Sequence, residues 1–221
     1  MRETVKKVVP SGWADHPALW VCATDTTTGK RVVFGREDAP PADLAEAVAA
    51  SCAVPSVYRP VRIGDRLYVD GGAWSPSNLD CVGRADLDLV ICLNPLSSLP
   101  EEVARAGKRG VSKRMRSTLG RRLGSERKKL EERGTTVVLL QPVAEDLDVL
   151  GGNLMSSARR HAVLETASRT MAEQLSGGQL AALLAEQPRV APHRLRRPDG
   201  PVHTWPAGAL PAGTSVAQHT A

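Results

Sequence analysis

The run Leu67-Tyr68-Val69-Asp70-Gly71-Gly72 sets a carboxylate at the end of a short apolar stretch and follows it with two glycines. A carboxylate so placed could serve as a general base, because no bulky side chain beside it would block an approaching proton donor. At the ordinary aspartate pKa of about 3.9 it is a weak base near neutral pH, so partial desolvation would have to strengthen it. The nucleophile it would serve is harder to find. Ser51 sits late in an alanine-rich segment with no glycine-flanked bend, and reads as a core or helix-capping residue. Cys52 has no histidine or cation next to it in sequence to lower its pKa, and reads as a buried small side chain. The histidines at 16, 161, 193, 203 and 219 have neither metal-ligand nor triad spacing, and His161 beside Arg159 and Arg160 reads as part of a polar helix face. No metal and no organic cofactor is implied.

The elements that must position Asp70 follow from pattern. Val61–Ile63 and Leu67–Val69 read as a tight hairpin turning at Gly64-Asp65, which makes Asp70 the end of its second arm. Upstream, Leu19 to Phe34 reads as strand, turn and strand around Asp25–Gly29. The segment from Glu37 to Ala53 reads as a helix, with Pro40 and Pro41 near its start, Asp43 in its first turn and Pro55 beyond its end. Downstream, Leu87–Pro95 and Thr135–Pro142 are apolar runs of the kind found in strands buried on both faces. Asn153 to Leu175 reads as an amphipathic helix, with Ser156 or Ser157 as cap and Gly177-Gly178 as stop. Strands alternating with helices predict the α/β class, layered α/β/α, over residues 1–187. From 188 onward, proline, glycine and arginine without periodicity predict a disordered tail over 188–221.

The 221 residues suit one medium domain, and with aromatics at only 3% the core must come largely from Val, Leu, Ala and Ile. The net charge of +5 is concentrated in residues 101–133, where twelve Lys or Arg stand against five Glu. There Val111, Met115, Leu119 and Leu123 recur every four residues as a narrow apolar stripe among cations. Two readings fit: a solvated helix packed through its stripe, or contact with an anionic membrane surface. Nucleic acid fits poorly, since no aromatics interleave the cations. Cys22, Cys52, Cys81 and Cys92 lack C-x-x-C spacing and suit buried thiols in a reducing compartment. Without a signal-peptide core at the start or a run of membrane-spanning length, the chain reads as cytoplasmic.

Around Asp70 the sequence resembles a known family. Ala50-Ser51-Cys52-Ala53-Val54-Pro55, the hairpin and Asp70-Gly71-Gly72 resemble the A-S-x-A-x-P helix and D-G-G motif of patatin-like phospholipases. The strand pair before them, and Leu87–Pro95 and Asn153–Ala167 after them, are similar to family elements in the same order, over roughly residues 10 to 180. The resemblance implies acyl-ester hydrolysis by a Ser-Asp dyad. A serine in a G-x-S-x-G elbow attacks the ester and the aspartate takes its proton, while a Gly-rich loop steadies the oxyanion. It assigns Asp70 as the catalytic residue, with Gly71 and Gly72 as motif neighbours.

The nucleophile half has no counterpart here. Gly110–Arg114 ends in Arg where the elbow needs Gly, and Gly213–Ala217 lies in the proline-rich tail without a preceding strand. Two expectations follow. Either the chain is an N-terminally truncated hydrolase supplying the Asp half, inactive alone, with the missing N-terminal half provided elsewhere and a lipid or other acyl ester as substrate. Or it is a non-catalytic remnant that binds a partner or an acyl chain.

Overall fold

The computed structural model describes residues 1–15, 18–83, 85, 87–107, 111–151 and 157–186; the expected tail from 188 lies outside them. The described chain forms two compact units, one from Met1–Asp88 and Arg122–Thr136, the other from Leu89–Arg121 and residues 137–186. Mixed helices and sheets bear out the α/β class, with the strands divided over two separate sheets.

The first unit opens with the short helix α1 (Arg2–Lys6), followed by β1 (Val21–Asp25), β2 (Arg31–Phe34), α2 (Leu44–Ser51), β3 (Val61–Ile63) and β4 (Arg66–Asp70). The four strands form one antiparallel sheet in the order β2-β1-β4-β3. The hairpin forms as the pattern predicts: Ile63 pairs with Arg66, and Gly64 takes φ +56, which glycine alone adopts without strain. The helix expected from Glu37 begins only at Leu44, beyond Pro40 and Pro41, and Asp43, expected in its first turn, is its N-cap. Its carboxylate accepts from the Gly12 N–H at 2.9 Å and so ties the helix start to the upstream segment.

The helix packs on the sheet through Ala47 and Ala50, whose small side chains let its backbone come close to Ala23, Ile63 and Tyr68. The single phenylalanine of the chain, Phe34, is fully buried there. It meets Tyr68 edge to face at 5.2 Å between ring centroids.

The second unit holds β5 (Leu89–Leu93), α3 (Pro100–Arg105), most of β6 (Thr136–Leu140), α5 (Ala144–Leu150), α6 (Arg160–Ser176) and α7 (Gly178–Glu186). Thr136 N–H donates to Asp88 O and Asn94 N–H to Leu140 O, so β5 and β6 run parallel. The expectation that both strands are buried on both faces is corrected for β5. Ile91 and Leu93, two residues apart and hence on one face, are 48% and 66% exposed. Helix α6 ends before Gly177 as the sequence suggests, but Ser156 lies outside the described residues and Ser157 begins a one-turn 3-10 helix. The further helix α7 had no signal in the earlier pattern.

The basic segment forms α3 and the long helix α4 (Val111–Glu131). Its buried line is Arg116, Leu123, Glu126 and Leu130, while Met115 is exposed, which corrects the four-residue stripe. Each four-residue step advances about 400° around a helix, so a strict i+4 row drifts off any one face. A buried face follows alternating steps of three and four. Gly120 lies against Ser98, where a Cβ would stand 3.1 Å from the Ser98 carbonyl oxygen. Arg127 and Lys128 pair with Glu131 and Glu132 one turn on, as on a solvated face. No helix among the described residues is long and apolar enough to cross a membrane.

Candidate functional site

Asp70 closes β4 opposite Ala23 of β1. Its backbone is held on both sides: its N–H donates to Ala53 O at 3.0 Å, and its carbonyl accepts from Thr24 Oγ1 at 3.3 Å. The side chain turns forward, Oδ1 accepting from the Gly72 N–H at 2.7 Å, so Asp70 caps the one-turn 3-10 helix Gly71–Ala73. The carboxylate is half-exposed.

The two glycines of the motif differ in what surrounds them. A Cβ on Gly71 would stand 2.5 Å from the Cys22 carbonyl oxygen, so only glycine lets this turn lie against β1. A Cβ on Gly72 would stand 2.9 Å from Asp70 Oδ1, crowding the carboxylate itself. The close neighbours of the two glycines are thus β1 and the motif's own aspartate.

The loop after the motif is anchored by a residue that sequence reasoning missed. Glu126, on α4, accepts from Ser75 Oγ at 2.5 Å, Ser77 Oγ at 2.7 Å and the Leu79 N–H at 3.0 Å. Ser75 is completely buried. Asn78 Nδ2 donates to the carbonyls of Gly71 and Ser75, and Arg31 on β2 binds Asp80 at 2.5 and 3.2 Å. The stretch from Gly71 to Asp80 is thus tied to β2 and to α4 by charged and polar side chains, which holds the turn beneath Asp70 in one conformation. Glu126 sat in a run of charges with nothing local to set it apart.

The other sequence candidates separate cleanly. Ser51 is the last residue of α2 and half-buried. Cys52 follows it and lies near Asp70; burial first, then the Asp70 charge, push its thiol pKa up, so it stays protonated and is a poor nucleophile. His161 is exposed on α6. Gly110 and the Gly213–Ala217 stretch lie outside the described residues. Among the described residues the Asp70 carboxylate bonds to the Gly72 N–H and to no serine, and no group of three or more His, Cys, Asp or Glu is placed to hold a metal ion.

The second unit carries a cavity of about 320 Å³ at the carboxyl ends of β5 and β6, walled by Leu93, Leu140, Val149, Leu150, Val163 and Met171 among others. Its polar residues include Asp146, whose two carboxylate oxygens accept from Thr170 Oγ1 at 2.9 and 3.0 Å.

In comparison with known proteins, residues 14–80 fit the family model described as patatin-like phospholipase. The matched stretch runs from just before β1 through α2, the hairpin and the Asp70-Gly71-Gly72 turn to Asp80. No curated protein matches the chain.

Proposed function

We propose, for a chain that is patatin-like over residues 14–80, that Asp70 is the proton acceptor of an acyl-ester hydrolase. Its serine partner would come from polypeptide outside these 221 residues. The observation that carries this reading is the placement of Asp70 inside the matched stretch: rigidly held at a strand end, half-exposed, and flanked by glycines that leave its approach clear. With Oδ1 engaged by the Gly72 N–H, Oδ2 makes no hydrogen bond among the described residues. Oδ2 takes the serine proton as Oγ bonds to the ester carbonyl carbon; the alcohol then leaves, and water releases the acid from the acyl-serine. Burial under the incoming serine segment would supply the desolvation that a carboxylate base needs. The exposed apolar side chains of Val54 and Trp74, next to the residues that hold Asp70, are surface for that segment to cover. The three-layer α/β/α arrangement would be completed by the same segment. A lipid or other acyl ester is the substrate class, and the cationic stretch 101–133 would meet an anionic lipid surface.

The test starts with the DNA upstream of the codon for Met1, read for a Gly-rich loop and G-x-S-x-G in frame. Joined to this chain, that segment should confer turnover of a short p-nitrophenyl ester. Asp70→Ala should then lower kcat by roughly 10²- to 10⁴-fold. Turnover indifferent to Asp70→Ala would reject the reading.

The apolar cavity of the second unit favours a second reading, an acyl-binding protein without catalysis. Saturable binding of a fluorescent fatty acid, abolished by Val163→Trp, together with no esterase activity in any joined form, would favour it over the first.

A further inference from the structure

Three arginines from separate places in the first unit line one cavity of about 400 Å³. Arg31 begins β2, Arg36 lies just beyond its end, and Arg133 follows the last turn of α4. Two carboxylates share the wall: Asp38, and Asp80 on the one-turn 3-10 helix Leu79–Val82. Three guanidinium groups against two carboxylates leave one positive charge over. Lys129 on α4 is close enough to favour an ionised Asp80, and adds to the excess.

These arginines are held in place without being used up. Arg31 gives Nη1 and Nη2 to Asp80 at 2.5 and 3.2 Å, with Nη1 also reaching Asn78 Oδ1 at 3.3 Å. Arg36 gives Nε and Nη2 to Asp38. Arg133 donates Nη1 to the Gly83 carbonyl at 2.7 Å and pairs with no carboxylate among the described residues. Gly83 admits it, since a Cβ there would stand 2.9 Å from the same nitrogen. Arg31 Nε, Arg36 Nη1, and Arg133 Nε and Nη2 make no hydrogen bond among the described residues. The two partners of one pair also differ in exposure: the Asp38 side chain is 61% exposed and that of Arg36 only 21%. Water therefore screens this acid more than its base, and the cavity keeps the cation.

We propose that this cavity binds a phosphate monoester group, carried by a small soluble molecule or by a lipid head. A guanidinium is charged at every physiological pH, and its N–H groups form a planar fork that matches phosphate oxygens. The forks come from a strand, the turn behind it and a helix end. That spread suits a tetrahedral anion, with oxygens on several sides, better than a flat carboxylate. A monoester carries close to two negative charges at neutral pH, so it answers the excess charge and competes with the more exposed carboxylate, Asp38. The volume lies in the range of small-ligand sites, and Val33 and Pro40 in the wall offer apolar surface to the carbon skeleton. This inference does not depend on the catalytic reading of Asp70.

The test titrates the full chain with glycerol 3-phosphate by isothermal calorimetry. A second arm sediments it with phosphatidylcholine vesicles that contain phosphatidic acid, a monoester, or phosphatidylglycerol, a diester. Saturable binding of the soluble ester with Kd below about 1 mM assigns a soluble source. Preference for phosphatidic acid over phosphatidylglycerol, without binding of the soluble ester, assigns a lipid head. In whichever arm binds, Arg133→Gln should weaken binding roughly tenfold or more, because it removes the charge while its amide can still reach the Gly83 carbonyl. Asp38→Asn should strengthen binding several-fold by removing the competing carboxylate, a gain that a misfolded chain would not show. Binding that either variant leaves unchanged would overturn the proposal. So would absence of binding in both arms, or equal sedimentation with the two vesicle types when the soluble ester does not bind.

Discussion

Ser75 Oγ and Glu126 Oε1 lie 2.5 Å apart, joined across 51 positions of sequence in a place closed to solvent. The Glu126 carboxylate is also the acceptor for Ser77 and for the Leu79 N–H. Replacing it by alanine strands three donors at once, each with a desolvation cost. Glu126→Ala should therefore lower unfolding free energy by about 3 kcal/mol, and Glu126→Gln by about half of that, since an amide still offers one acceptor oxygen. Urea unfolding followed by circular dichroism measures both. Equal losses for the two variants would mean that packing, not acceptance of hydrogen bonds, is what Glu126 provides.

The two motif glycines should respond differently to alanine. At Gly71 the new Cβ meets the Cys22 carbonyl, part of a paired strand that cannot shift cheaply, so Gly71→Ala should cost about 2 kcal/mol or more. At Gly72 the neighbour is the Asp70 side chain, which can rotate away. Gly72→Ala should cost under about 1 kcal/mol while turning the carboxylate out of its bond to the Gly72 N–H. Thermal melts rank the stabilities, and a carboxyl-carbon chemical shift at Asp70 reports the turned side chain.

A buried carboxylate elsewhere in the sheet gives a pH signature. Asp25 accepts from the N–H groups of Thr27 and Thr28 at 2.7 and 3.1 Å and from Arg66 at 2.6 Å. Burial pushes its pKa up, but Arg66 and the two N–H groups outweigh burial and hold it below the ordinary value. A carboxyl depressed in the folded state contributes stability that is full above its unfolded pKa of about 3.9, and that disappears as pH falls through the lowered folded value. The urea midpoint of the parent chain should exceed that of Asp25→Asn at pH 7, and the gap should narrow below pH 4. A gap that is constant with pH would exclude the ionised carboxylate as its source.

The uncovered face of β5 predicts association. Ile91 and Leu93 present apolar surface on one side of a strand that was expected to be enclosed. Sedimentation of the isolated chain should show concentration-dependent self-association, weakened several-fold by Ile91→Lys. A monomer at millimolar concentration would show that this face needs no cover.

Much was legible before any coordinates because it is local. The Gly64-Asp65 turn, the strand end at Asp70 and the helix before Pro55 depend on turn chemistry and short-range period, which neighbouring residues carry with them. The burial of β5 was misjudged for a related reason: an apolar run records that a strand suits enclosure, not whether anything encloses it. On α4, a charged sequence does not disclose that Arg116 and Glu126 face inward, because their burial depends on distant partners: the Pro95 carbonyl for one, the serines after the motif for the other.

The sequence by itself determined the strand ending in Asp70-Gly71-Gly72, the likeness of its surroundings to a lipid-hydrolase family, and the lack of a serine elbow beside it. Those are matters of residue type and spacing along one stretch of chain. Only the tertiary structure decided that Gly71 rests on Cys22, that Glu126 anchors the following loop, and that Arg31 binds Asp80. Each of these joins residues from elements far apart in sequence, and the pairing arises from how strands and helices pack, which no local pattern encodes.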